Sequence, residues 1–160
     1  MDKPDIDRTL TDEILKIGRS YGSLVGFYSN LMIGKLAAKI TGDAVVSKGS
    51  RFIVNLLKTS KKKATYTTDI ASDALTNQLK KYFSKKGKVL KAKDSNSIIG
   101  LVYSGTADMN PCVLEISFKE NSSKGIELSV VAHAKEGLIK QKTCKKALTE
   151  LDSYIQTLST

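Results

Sequence analysis

The chain has 160 residues, 41% of them hydrophobic and 26% charged, which is the composition of a globular protein with a real core. Its two cysteines are too few for a disulfide framework, and its longest uncharged run, 20–34, is shorter than the roughly 20 apolar residues that cross a bilayer. The net charge of +10 comes almost entirely from residues 58–93, where eleven lysines stand against two aspartates. Acidic residues near the N-terminus do not fit a signal peptide, so we expect a cytoplasmic protein, peripheral to a membrane.

Small residues recur every fourth position through the first apolar segment, with one interruption at Asn30. This glycine ladder consists of Gly18, Gly22, Gly26, Gly34, Ala38 and Gly42. On a helix, positions four apart share a face, so the ladder predicts a stripe nearly free of side chains. An interior glycine costs roughly 0.5–1 kcal/mol relative to alanine, so the stripe requires a close contact with a second backbone. That contact is a helix of the same fold, a membrane surface, or a second copy in a homo-oligomer.

Residues 1–63 are predicted to form an apolar helical hairpin. The first arm spans 11–41 and ends at Gly42-Asp43, a pair typical of a helix end and a new helix start. The second arm spans 44–58, either as helix throughout or as strand followed by helix, because Gly49 interrupts it. Ser60 and the three lysines after it are predicted to be a polar linker, with a domain boundary after residue 63.

Residues 64–160 predict a second unit, so the fold class is α+β. An amphipathic helix over 68–84, with Thr67 or Thr68 as cap, precedes four segments of period two, and a helix with a single apolar stripe follows them. The strands are placed at about 89–93, 98–104, 112–119 and 126–134, and the last helix at 142–158. Short connections indicate an antiparallel meander, with both helices on one face and the other face in water.

The order helix, four strands, helix over about residues 66–158 resembles that of helix-grip ligand-binding proteins. The resemblance concerns the order of elements, and it implies a ligand-binding fold without identifying any site residue.

Lysines are the best candidates for a binding site. The predicted anion-binding set is Lys58, Lys61, Lys62, Lys63, Lys80, Lys81, Lys85 and Lys86. Such a set is a solvated surface, a contact for anionic lipid headgroups, or a contact for nucleic-acid phosphates. With only three arginines in the chain, base-specific recognition is disfavoured, although Tyr66, Tyr82 and Phe83 have the ring type that stacks on bases.

Catalytic and metal-binding patterns are weak. The segment 42–50 departs from a phosphate-binding loop, because Ser47, Lys48 and Gly49 stand where Gly, Lys and Ser or Thr are needed. His133, the one histidine, has no metal-ligand spacing around it, and it would activate Cys112 or Cys144 only if the fold brought them together.

Glu115 and Glu127 are predicted to face each other on neighbouring strands, as ordinary outward carboxylates or as an acid–base pair. Because the sequence contains no complete set of catalytic or metal-binding residues, we expect a non-catalytic binding protein without cofactor or metal. Its partner is expected to be an anionic lipid surface, met through the hairpin and the adjacent lysines. Nucleic-acid phosphate is the alternative partner, and an enzyme is the least favoured class.

Overall fold

The computed structural model describes residues 5–20, 54–55, 57–93, 96–104, 110–121, 125–136 and 142–158. Within these ranges a two-residue helical stretch at 54–55 precedes the first strand, and the other elements follow one another along the chain. They are α1 (Ile6–Ser20), β1 (Lys58–Thr68), α2 (Ser72–Lys86), β2 (Gly87–Lys93), β3 (Ser97–Ser104), β4 (Asn110–Asn121), β5 (Gly125–Glu136) and α3 (Thr143–Leu158). The protein is therefore an α+β protein, as predicted.

The strands form a single antiparallel sheet in the order β1-β5-β4-β3-β2. The predicted meander is its β2-to-β5 part, and β1 adds a fifth strand on the outer side of β5. The prediction of four strands was wrong, and so was the linker prediction for residues 60–63, because these residues lie within β1 and cross the proposed boundary after residue 63. β1 and β2 are consequently the two edges of the sheet.

α2 and α3 pack on one face of the sheet, as their apolar stripes predicted. Inward residues of β4 and β5, including Leu114, Ile116 and Leu128, form one buried cluster with Leu79 of α2 and Leu151 of α3. The strand alternation placed these side chains correctly. The predicted threonine cap of α2 was wrong, because β1 continues through Thr68 and the helix begins after Ala71 without a side-chain cap.

The opposite face is not left in water. Leu10 of α1 is fully buried against Leu101 and Val113, and Ile99 and Tyr103 pack around them. The prediction of one wet face was wrong here, because β3 and β4 carry apolar side chains on both sides and α1 covers them. The sheet is thus sandwiched, with α2 and α3 on one side and α1 on part of the other.

Only the two ends of the predicted N-terminal hairpin lie within the described residues. Its second arm does not extend to residue 58, since β1 begins there, while residues 54–55 are helical. Gly18 lies in α1, and the rest of the glycine ladder lies outside the described residues. Close packing or self-association through the ladder therefore stays a prediction.

Candidate functional site

β1 carries four lysines at one edge of the sheet. We call Lys58, Lys61, Lys62 and Lys63 the basic edge; all four side chains are exposed, and β1 contains no acidic residue. None of the four makes an ion pair within the part of the chain that the structure describes. Their ammonium groups are therefore available to an external anion.

Alternation along β1 directs these lysines to both sides of the sheet. Ala64 and Tyr66 pack into the cluster beneath α2 and α3, so even-numbered positions face that side. Thr59 donates a hydrogen bond of 2.7 Å to Asp7 of α1, so odd-numbered positions face α1. Lys62 therefore lies on the α3 side and Lys61 on the α1 side, and the basic edge surrounds the rim of the sheet.

The other predicted lysines lie at the far side of the sheet. Lys80, Lys81 and Lys85 are exposed on α2, which contacts β2 and β3. Lys86 is half-buried and pairs with Glu150 of α3 at 3.5 Å. Three strands separate β1 from β2, which corresponds to about 19 Å at the usual strand spacing. The predicted set thus divides into the basic edge and a group on α2.

Aromatic side chains near the lysines are engaged in the fold. The Tyr66 hydroxyl donates a hydrogen bond of 3.0 Å to the Leu148 carbonyl, and burial raises its pKa to about 12. Tyr82 and Phe83 are 5% and 0% exposed and belong to the core of α2. Stacking of bases on Tyr82 or Phe83 would require the core to open, and half-buried Tyr66 is held against α3 by its hydroxyl.

A buried polar layer holds α1 on the sheet. Glu13 is 4% exposed and accepts hydrogen bonds from the Lys88 ammonium and the Tyr103 hydroxyl, both at 2.5 Å. Burial alone would raise the pKa of Glu13, but these two hydrogen bonds together with the charges of Lys88 and Lys16 outweigh it and lower the pKa below its ordinary value.

At the start of α1, the Lys135 ammonium lies 2.8 Å from Asp7 and, with Thr59, lowers the pKa of that carboxyl. α1 is therefore tied to β1 and β5 at its N-terminal end and to β2 and β3 at its middle.

The proposed carboxylate pair is not assembled. Glu115 is opposite Val131, and Glu127 is opposite Lys119, so the two carboxylates are not cross-strand neighbours. Glu115 instead lies 2.8 Å from the His133 imidazole. Among the described residues, no group of three or more His, Cys, Asp and Glu side chains is arranged to hold a metal ion.

His133 is not positioned to activate a thiol. It pairs with Glu115 on the α1 side of the sheet, whereas Cys112 lies in the cluster beneath α2 and α3. Cys144 of α3 belongs to the same cluster as Cys112. The backbone of the sheet therefore separates the imidazole from both sulfur atoms, and the thiol–imidazole hypothesis was wrong.

The chain matches no protein-family model, and comparison with curated proteins and with solved structures likewise finds no significant match. The likeness to helix-grip proteins in element order stays a prediction. None of the helices within the described residues combines the length and apolar character that a membrane crossing needs.

Proposed function

We propose that the protein is a non-catalytic binding protein that associates with an anionic membrane surface through the basic edge. The observation that carries this proposal is the exposure of four lysines within six residues at an outer strand of the sheet, none of which makes an ion pair with another described residue. Pairing with β5 fixes the backbone positions of these lysines in the sheet, and strand alternation distributes their charges on both sides of one rim. Such a rim can approach a flat surface of phosphate groups.

The expected affinity of the basic edge alone is low. A lysine near an anionic leaflet contributes about 1 kcal/mol, so four contribute about 4 kcal/mol, equivalent to millimolar dissociation. A second contribution is therefore needed. Residues 21–53, which lie between α1 and the basic edge in the sequence, include 17 hydrophobic and five charged residues. We propose that they supply the apolar part of the contact, as in interfacial proteins that combine apolar area with basic residues.

Lipid is favoured over nucleic acid because the described aromatic side chains near the lysines pack in the core or against it. Sequence-tolerant nucleic-acid proteins combine basic grooves with stacking rings, and the hydroxyl or ring of each candidate is already packed. Lysine without arginine is also sufficient for headgroup phosphates, which need no bidentate base contact.

Vesicle co-sedimentation tests the proposal. Vesicles of phosphatidylcholine alone and of phosphatidylcholine with phosphatidylglycerol are compared at low and high salt. We expect binding to the anionic vesicles only, decreasing as salt shortens the screening length from about 30 Å at 0.01 M to about 8 Å at 0.15 M. Absence of binding to anionic vesicles at low salt contradicts the proposal, and retention by single- or double-stranded oligonucleotides in its place would favour the nucleic-acid alternative.

A further inference from the structure

The two cysteines of the chain, 32 residues apart in sequence, meet in the folded protein. Cys112 lies on β4 and Cys144 is the second residue of α3; both are buried, at 0% and 1% exposure, and neither forms a disulfide. They belong to the same packed cluster beneath α2 and α3, and each thiol is the largest influence on the pKa of the other. Nothing in the binding proposal uses this pair.

The sheet explains how the sulfur atoms come together. Cys112 is opposite Ala134 of β5, which is in turn opposite Ser60 of β1, so the three residues form one row across the sheet. The Cys144 sulfur lies above this row, 3.5 Å from the Ser60 hydroxyl and 3.6 Å from the Ala132 carbonyl oxygen. The small side chains of Ala132 and Ala134, both fully buried, leave room for the side chain of Cys144 above β5.

The two thiols differ in acidity. Its interaction with the Cys112 thiol lowers the pKa of Cys144 to about 7, with help from Ser60 and against the effect of burial. Lys62 on β1 also favours the thiolate, whereas Glu136 on β5 opposes it. The same interaction and burial raise the pKa of Cys112 well above its ordinary value. Cys144 is thus the more acidic thiol of the pair and the better nucleophile, and Cys112 is the less acidic one.

We propose that Cys112 and Cys144 are a redox-active dithiol, which a hydroperoxide converts into an intramolecular disulfide between β4 and α3. The Cys144 thiolate attacks one oxygen of the peroxide; an S–O bond forms, the O–O bond breaks, and hydroxide leaves and takes a proton. The Cys112 sulfur then attacks the sulfenic sulfur of Cys144; the S–S bond forms, the S–O bond breaks, and the Cys112 proton leaves with the hydroxide as water. Overall, two thiols lose two electrons and two protons, and one hydrogen peroxide becomes two waters.

Access to the pair is from the edge of the sheet. Ser60, which contacts Cys144, is half-buried on the outer strand, and Cys144 belongs to the first turn of α3. Because both sulfur atoms are covered, the reaction requires a local opening of this turn, a motion of the kind that helix ends undergo. The oxidation is therefore expected to be slower than that of an exposed thiolate with the same pKa.

The test treats the reduced full-length chain with hydrogen peroxide. We expect the intact mass to fall by two hydrogen atoms, both thiols to become unreactive towards maleimide after denaturation, and a peptide map to show a Cys112–Cys144 link that dithiothreitol reverses. The product should remain monomeric in a non-reducing gel. Thiols that stay reduced while glutathione in the same tube is oxidised, or disulfide-linked dimers alone, would overturn the proposal.

Single variants separate the two roles. In C112A, dimedone should capture a sulfenic acid on Cys144 that no second thiol resolves, and this acid should form more slowly because the neighbour that lowers the pKa of Cys144 is gone. In C144A the remaining Cys112 should resist peroxide. Should either variant fail to fold, the wild-type chain still tests the proposal through the pH dependence of thiol alkylation. The alkylation rate of the more reactive thiol should rise with pH, with an apparent pKa near 7. A rate that rises only above pH 8.5, the usual thiol range, together with no mass loss would refute the assignment.

Discussion

Glu13 shows how a single residue fixes the position of a helix, here α1, on the sheet. Its carboxylate is buried under α1, yet it is paired with an ammonium from β2 and a hydroxyl from β3. A buried charge is tolerated only when it is paired and hydrogen-bonded in this way. Glu13 therefore sets the position of α1 across the sheet as well as contributing to stability.

Replacing Glu13 with glutamine should destabilise the protein at neutral pH by about 1–3 kcal/mol, because the charged acceptor for two donors is lost. The folded-state pKa of Glu13 is lowered, so its contribution is complete above the unfolded value of about 4.5 and disappears as pH falls through the folded pKa. Urea denaturation of both proteins between pH 7 and pH 3 measures this. The difference between wild type and E13Q should shrink as pH falls, and a difference that stays constant would contradict the assignment.

Gly100 is a second residue whose identity the packing requires. A Cβ built there would lie 2.2 Å from the ring of Phe83, which is fully buried on α2 and cannot move aside. We expect G100A to cost about 1–3 kcal/mol, the range typical of overpacked cores. Ser129→Ala, at an exposed position of β5, is the matched control and should change the unfolding midpoint little. Equal midpoints for both variants would show that α2 is not seated on β3 as described.

At the scale of elements, α1 acts as the cover of the second sheet face. Leu10 is its fully buried apolar contact with Leu101 and Val113. Leu10→Ala should cost about 2–5 kcal/mol, as for other large-to-small changes in a core. Arg8→Ala, on the exposed side of the same helix, removes only a surface ion pair and should change stability by less than about 1 kcal/mol. Chemical denaturation of the two variants measures these losses of stability. Similar losses for both would contradict the conclusion that α1 covers this face of the sheet.

The meander and its two helices were predictable because the apolar residues of each element recur at the spacing typical of a strand or a helix. β4 and β5 alternate apolar and polar residues, and α3 repeats its apolar side chains every three or four positions. β1 was missed for the opposite reason. It is an edge strand whose residues are exposed or half-exposed except at Thr68, so Lys58–Lys63 shows no apolar alternation that could distinguish it from a linker.

The apolar cluster beneath α1 and the pair of thiols were not predicted, because each joins residues that are far apart in the sequence. Val113 is an apolar residue on the side of β4 predicted to be wet, but nothing in the local pattern says that a helix about a hundred residues earlier covers it. Cys112 and Cys144 come together because α3 packs across β1, β5 and β4, which are neighbours in the sheet. Contacts that depend on strand order are not encoded in local periodicity.

At the scale of the whole molecule, the excess positive charge is held at two separate places. The basic edge and the α2 lysines occupy opposite sides of the sheet, and each side contributes at least three exposed ammonium groups. Lysines on an edge strand also protect it from pairing with other edges. An experiment on the proposed binding role must therefore distinguish it from this protective role and from general attraction by net charge.

The most direct measurement compares two charge-matched variants, K61Q/K62Q/K63Q and K80Q/K81Q/K85Q, in the anionic-vesicle assay at low salt, with size-exclusion chromatography as a check for aggregation. Each variant loses three positive charges, so net charge alone affects both equally. The account predicts that the β1 variant loses most of its vesicle binding, roughly a hundredfold at about 1 kcal/mol per lysine, while the α2 variant remains close to wild type. Equal binding by the two variants, or a β1 variant that aggregates but still binds, would contradict the claim that the basic edge is the membrane contact.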